Sequence, residues 1–196
     1  MFLPFSDRGK AWEPQALHLR HLAGAEPADL LDPWQLAAKV GLTVLDGQAV
    51  MNALSRGDQL HLLGRGRWSW SGGIYPPSLP DGTYLCILNP AHPRRRSKIT
   101  LMEEITHTRL GHRPSKLVLV ADGIQVRDYD KRQEEEAYGI GAAALLPWQT
   151  FFPAINAGGT IEDLADQYDV TPHLIEYRIK ITGAFRLYQA RRRESS

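Results

Sequence analysis

Glu103, Glu104 and His107 stand in the stretch Ile99–His112, ITLMEEITHTRLGH, at a spacing that suits chemistry. Written as a helix, the stretch places Leu101, Ile105 and Thr108 on one stripe at i, i+4, i+7, fit to face a core. Glu103 and His107 are four apart, one turn from each other, so both side chains reach one point. Glu104 lies beside that point. Two ligands at i, i+4 with an adjacent carboxylate as general base is the arrangement of the zinc-peptidase helix H-E-x-x-H. Here the first ligand letter is Glu103, so the motif reads E-E-x-x-H. Two acids and a histidine on a helix also make an ordinary solvated face, and the stretch alone leaves both readings open.

A second stretch, Gln133–Pro147, reads QEEEAYGIGAAALLP. Three carboxylates open an Ala-rich segment that stops at a proline. Ile140, Ala143, Ala144 and Leu145 fit the buried face of a helix, and the small residues let another helix approach closely. Glutamates at a helix start suit its dipole without any further role. The alternative is that one of them supplies a third ligand to the site at Glu103 and His107.

Together the two stretches resemble the ImmA/IrrE family of metallo-endopeptidases. In that family the H-E-x-x-H helix often continues into Leu-Gly-His, matched by Leu110-Gly111-His112. A downstream helix, roughly E-A-x-x-F-A-x-x-L-L-x-P, supplies the third ligand. Glu136-Ala137, Ile140, Gly141, Leu145 and Pro147 fall at that spacing, with Ile140 and Gly141 replacing Phe and Ala. The resemblance implies Glu104 as general base, His107 and Glu136 as metal ligands, and Glu103 at the position of the missing histidine. It spans roughly Asp32 to Gly183. His112 could swing back past Gly111 to replace that histidine; on a continuous helix it would point about 140° away from His107, and a structural role is expected.

The elements that must position these residues are those of one α+β protein. A chain of 196 residues is long enough for one good-sized core. Hydrophobic residues at 43% and charged at 23% describe an ordinary globular composition, and a net charge of +1 gives no overall pull toward nucleic acid or membrane. The single cysteine, Cys86, excludes an internal disulfide, fits a reducing compartment, and sits in an apolar run as a buried thiol. No apolar run reaches the roughly 18–20 residues of a membrane helix, and the start MFLPFSDRGK lacks a signal-peptide pattern, so a cytoplasmic protein is expected.

Trp12, Leu17, Leu19 and Leu22 anchor a short helix near the start, with His18 and His21 on its surface. Asp32-Pro33 caps a helix that Gly41 stops, and Leu42–Leu45 follows as a strand. Gly57–Gly73, with Arg65, Arg67, Trp68 and Trp70, reads as a β-hairpin with packed tryptophans; interleaved cations and aromatics also fit single-stranded nucleic acid. Leu79-Pro80-Asp81-Gly82 is a turn before the buried strand Tyr84–Leu88, which in zinc peptidases would lie along the cleft and pair with substrate. Arg94–Arg96 falls in the loop before the helix. Leu117–Val120 and Ile124–Val126 flank a turn at Ala121-Asp122-Gly123. Thr160 with Asp163, then Thr171-Pro172 through Gly183, mark two helices spaced like a helix-turn-helix. The second would expose His173, Glu176, Tyr177, Arg178 and Lys180, and Arg191–Arg193 would be a disordered basic end.

The expected architecture is thus a zincin-like core over 1–155, its small mixed sheet packed on the active-site helix, with a helical pair and basic tail over 156–196. The resemblance implies a metal-dependent endopeptidase, with zinc, or manganese or another divalent ion, held by Glu103, His107 and Glu136. Its substrate would be a protein, a repressor of stress or mobile-element genes. The alternative is a catalytically inactive family member acting as a regulator or a DNA- or protein-binding module. Against DNA binding, Glu176 would repel phosphate from the candidate recognition helix.

Overall fold

The computed structural model describes residues 3–68, 70–75, 79–112, 116–119, 125–128 and 130–194. Ten helices and five strands occupy them: α1 (Asp7–Ala23), α2 (Pro33–Lys39), β1 (Leu42–Leu45), α3 (Gly47–Ala53), α4 (Arg56–Leu63), β2 (Gly72–Tyr75), β3 (Tyr84–Leu88), α5 (Arg94–Leu110), β4 (Lys116–Leu119), β5 (Gln125–Asp128), α6 (Lys131–Leu145), α7 (Trp148–Asn156), α8 (Ile161–Gln167), α9 (Pro172–Ile181) and α10 (Phe185–Glu194). The fold is α+β, mostly helical. One sheet has the order β1-β3-β2, with β3 parallel to β1 and antiparallel to β2, so it is mixed; β4 and β5 form an antiparallel pair. The turn expected at Ala121-Asp122-Gly123 lies outside the described residues. No described helix is long and apolar enough to cross a membrane.

The helix pair α5 and α6 is the centre of the core. Leu101, Met102 and Ile105 of α5 and Ile140 and Ala142–Ala144 of α6 are fully buried. Close approach needs small residues here. A Cβ on Gly141 would stand 3.1 Å from Met102 Cβ, and one on Gly139 would overlap the Trp12 ring of α1. The Ala/Gly run of the second glutamate stretch is therefore a packing requirement of both faces of α6. The same hydrophobic cluster continues through Leu164, Ala165, Val170, Leu174, Ile175 and Ile179 of the C-terminal helices.

Several local expectations hold. Asp32 caps α2, Gly41 follows it at φ +78°, and Thr160 and Asp163 form a reciprocal capping box at α8. Others are corrected. Gly57–Gly73 is not a hairpin: α4 and a 3-10 turn at Arg65–Trp68 precede β2. Ser55 Oγ accepts from the Asp58 N–H, a helix-start signal that outweighs the glycines. Trp68 is 63% exposed, with only His92 stacked on it among aromatic rings of the described residues, and is not part of the core. Arg94–Arg96 is the first turn of α5, not a loop. Three cations oppose the helix dipole there, and tertiary partners offset this. Arg95 pairs with Asp166 and Asp169, and Arg94 lies 3.9 Å over the Trp34 ring. Arg191–Arg193 is not a loose tail but part of α10, where Arg191 donates to Asn156 Oδ1 and Arg192 to the Gly158 carbonyl.

The expected recognition helix is corrected most. Arg178 of α9 is fully buried, donating to Glu13 of α1 at 2.9 Å and to the Leu146 carbonyl. Tyr177 is half-buried, edge-on to Tyr138. That leaves His173, Glu176 and Lys180 as the outward residues of that set, a face with a single firm cation beside an acid, a poor basis for a DNA reader.

Candidate metal centre

Helix α5 presents Glu103 and His107 on one face, and α6 brings Glu134 against them. His107 Nε2 lies 3.4 Å from Glu134 Oε2. Ligand atoms of Glu103, His107 and Glu134 all lie within 4.8 Å of one another. The three consecutive glutamates of α6 point to three destinations, as steps of about 100° per residue require. Glu134 meets His107, Glu135 pairs with Arg8 of α1, and Glu136 Oε2 lies 3.5 Å from His112 Nε2. The family spacing singled out Glu136; the donor group that actually converges has Glu134 in that place, and Glu136 reaches it only through His112.

Gly111 ends α5 in the left-handed conformation, φ +65°. This folds His112 back, so its N–H donates to the His107 carbonyl and its Nδ1 stands 3.0 Å from His107 Nδ1. Were a metal to take the His107 Nε2 lone pair, its Nδ1–H would donate to His112 Nδ1, and His112 Nε2–H would point to Glu136.

The electrostatics are those of crowded acids. Burial, then the charges of Glu104 and Glu134, push the Glu103 carboxyl up to about 8. Burial lowers the His107 pKa, Glu134 draws it back up, and His112 lowers it again. Neutral imidazole beside two carboxylates could hold a divalent cation, which would supply the positive charge this cluster lacks. Cys86, on β3, is fully buried; burial and the neighbouring charge of Glu104 push its thiol up to about 12, so it is a structural thiol beneath the site. Tyr138, one turn beyond Glu134, also faces this region: burial and the charge of Glu103 push its phenol up to about 12, while Arg96 opposes. Glu134 and Tyr138 share an i, i+4 stripe, a spacing legible in the sequence that places both on this face.

The sheet also departs from expectation. β3, the strand before α5, is paired on both sides, so it has no edge to offer a substrate. Among the described residues the edge strands of this sheet are β1 and β2. Of the two, β2 lies directly on α5, where a Cβ on Gly72 would stand 2.8 Å from Thr100 Cγ2. A separate groove of about 310 Å³, lined by His18, Thr106, Arg109 and Ile140 among others, opens between α1, α5 and α6 and contains none of the converging ligands.

Residues 71–180, more than half of the chain, match the Peptidase M78 family, described as the IrrE N-terminal-like domain. The chain belongs to this family. Its members are metal-dependent peptidases, and the matched segment runs from β2 through α5 and α6 to α9. No curated protein and no solved structure matches the chain. The IrrE-type assignment thus rests on the segment that carries Glu103, Glu104, His107 and Glu134.

Proposed function

We propose that this IrrE-type protein is a metal-dependent endopeptidase whose centre is formed by Glu103, His107 and Glu134, with Glu104 as general base. The observation that carries the reading is the convergence of those three donor atoms within 4.8 Å on the two most tightly packed helices. A divalent ion held there, zinc or a harder ion such as manganese, would acidify water and polarise the scissile carbonyl. Glu104 takes the water proton on a carboxylate oxygen and returns it to the leaving amine nitrogen. His112 and Glu136 act on the other side of His107, holding its ring so that Nε2 faces the site. The outer edge of β2 holds an extended substrate through main-chain hydrogen bonds. By family resemblance the substrate is a regulatory protein such as a repressor, and the setting is the cytoplasm.

The test is metal analysis of protein purified without added metal, compared with His107→Ala and Glu134→Ala, followed by cleavage assays with Glu104→Gln. Stoichiometric metal in the parent only, with cleavage lost in Glu104→Gln, is the expected result. Metal content unaffected by His107→Ala would end the reading.

A second reading, a non-catalytic regulator built on the same fold, is favoured by Glu103 itself. Two carboxylates and one imidazole leave a divalent ion formally neutral, hence a weaker Lewis acid than one with two imidazoles. Metal binding without cleavage of any protein substrate would favour it.

A further inference from the structure

Two turns before the candidate ligands, the same face of α5 carries an arginine that the peptidase reading does not use. Arg96, Thr100, Glu103 and His107 follow one another at i, i+4, i+7 and i+11, so they line one stripe. Arg96 is held in place rather than free in solvent. Its guanidinium lies 5.2 Å from the centre of the Trp68 ring, and Nη2 donates to Ser71 Oγ at 3.4 Å, immediately before the edge strand β2. Arg67 stands 5.0 Å from the same ring centre. The 3-10 turn bearing Arg67 and Trp68 is itself fixed. Asn89 Nδ2 donates to the Arg67 and Trp70 carbonyls, and His92 stacks on Trp68 at 5.6 Å. Among the described residues neither Arg67 nor Arg96 has a carboxylate partner, whereas Arg95, next to Arg96 in the chain, has two. Two pinned, partly exposed guanidinium groups without an anion therefore stand at the end of the edge that would hold a substrate.

We propose that Arg96, with Arg67 beside it, forms a subsite for an acidic side chain of an extended peptide lying along β2. The orientation of that peptide rests on the peptidase reading; the charge preference rests on the arginines alone. Arg96 precedes Glu103 by seven positions, roughly 10 Å of helix axis. An extended chain covers that in about three residues. The protein thus selects Asp or Glu about three residues from the bond opposite Glu103, and the guanidinium–carboxylate geometry gives that position its specificity.

The test is selection of a displayed random-peptide library on the full-length Glu104→Gln variant, with Arg96→Gln and Arg96→Lys added in that background. The expected result is enrichment of Asp or Glu at one fixed position. Binding of an enriched peptide should fall about tenfold in Arg96→Gln and be partly retained in Arg96→Lys. Thermal melting of each variant establishes that it is folded. Enriched peptides that bind but are not cut by the metal-loaded parent would remove the peptidase reading and leave the subsite standing. Cleavage without acidic preference, or acidic enrichment unchanged in Arg96→Gln, would overturn the subsite. So would Arg96-dependent binding of an oligothymidylate with no acidic peptides enriched, which would make the surface a single-strand nucleic-acid platform.

Discussion

His107 and His112 face each other through their Nδ1 atoms at 3.0 Å, brought together by the left-handed turn at Gly111. Five residues apart on a continuous helix, the two rings would diverge. In the proposed centre the turn would make His112 the support of a ligand rather than a ligand. His112→Ala is expected to weaken zinc binding by about 10- to 100-fold, the usual effect of losing an outer partner, while His107→Ala or Glu134→Ala removes it. Zinc titration against a competing chelator measures this. A loss in His112→Ala as complete as in His107→Ala would make His112 a direct ligand.

Asp169 ties the start of α5 to the turn between α8 and α9. It accepts from Lys98 Nζ at 2.5 Å and from Arg95 Nε at 2.9 Å, and it holds φ +50°, a left-handed conformation tolerated by aspartate. Hydrogen bonding to Lys98, then to Arg95, keeps its pKa below the ordinary aspartate value. A depressed folded pKa stabilises the protein above the unfolded value, and that contribution is lost as the pH falls through the folded one. Asp169→Asn should therefore be less stable than the parent near neutral pH and converge with it at acid pH, below the folded pKa. Asp169→Gly, which relieves the backbone but keeps no charge, should show the same pH dependence. Urea denaturation at the two pH values checks both; a gap that persists at low pH would place the effect in the backbone.

How far the sequence reached depends on whether the deciding contact was local. Caps at Asp32 and Thr160, the stop at Gly111 and the helix bearing Glu103 and His107 follow from neighbouring residues, and these were legible. The choice among Glu134, Glu135 and Glu136 was not, because it depends on the rotation of α6 against α5, which Gly141 on Met102 and Gly139 on Trp12 set jointly. Arg178 was misread for the same reason. An arginine at that position of a second helix looks like a surface cation until Glu13, far away in sequence, is seen opposite it.

The Glu13–Arg178 pair gives a prediction of its own. Both side chains are almost wholly buried, and Glu13 also accepts from the Trp148 N–H, so one carboxylate joins α1, α7 and α9. Removing either partner leaves the other charged and buried. Arg178→Met and Glu13→Gln are each expected to destabilise by about 3–5 kcal/mol, and the double variant by less than the sum. Equilibrium urea unfolding measures all three. A loss below about 1 kcal/mol would mean the pair behaves like a solvated surface bridge. Any loss of DNA binding in an Arg178 variant should accordingly track unfolding.

The last prediction concerns the position at which this chain departs from the H-E-x-x-H pattern. Glu103 lies on the same face of α5 as His107, and its donor atom is within 4.8 Å of those of His107 and Glu134. Glu103→His exchanges a charged oxygen ligand for imidazole at that turn. The set becomes two imidazoles and one carboxylate, which suits zinc better than a harder ion and leaves the centre with net positive charge. The exchange also removes one of three crowded carboxylates, the one that burial, Glu104 and Glu134 together hold at about 8. Zinc affinity should rise, and with it any peptidase activity, most visibly near neutral pH. Adding Glu104→Gln should abolish cleavage and leave the zinc in place, since the proposed role of Glu104 is to carry a proton and not the metal. Zinc affinity by chelator competition and cleavage by mass spectrometry separate the two effects. If Glu103→His binds zinc no more tightly than the parent, the cleft is not shaped for the ion, and the regulator reading replaces the peptidase one.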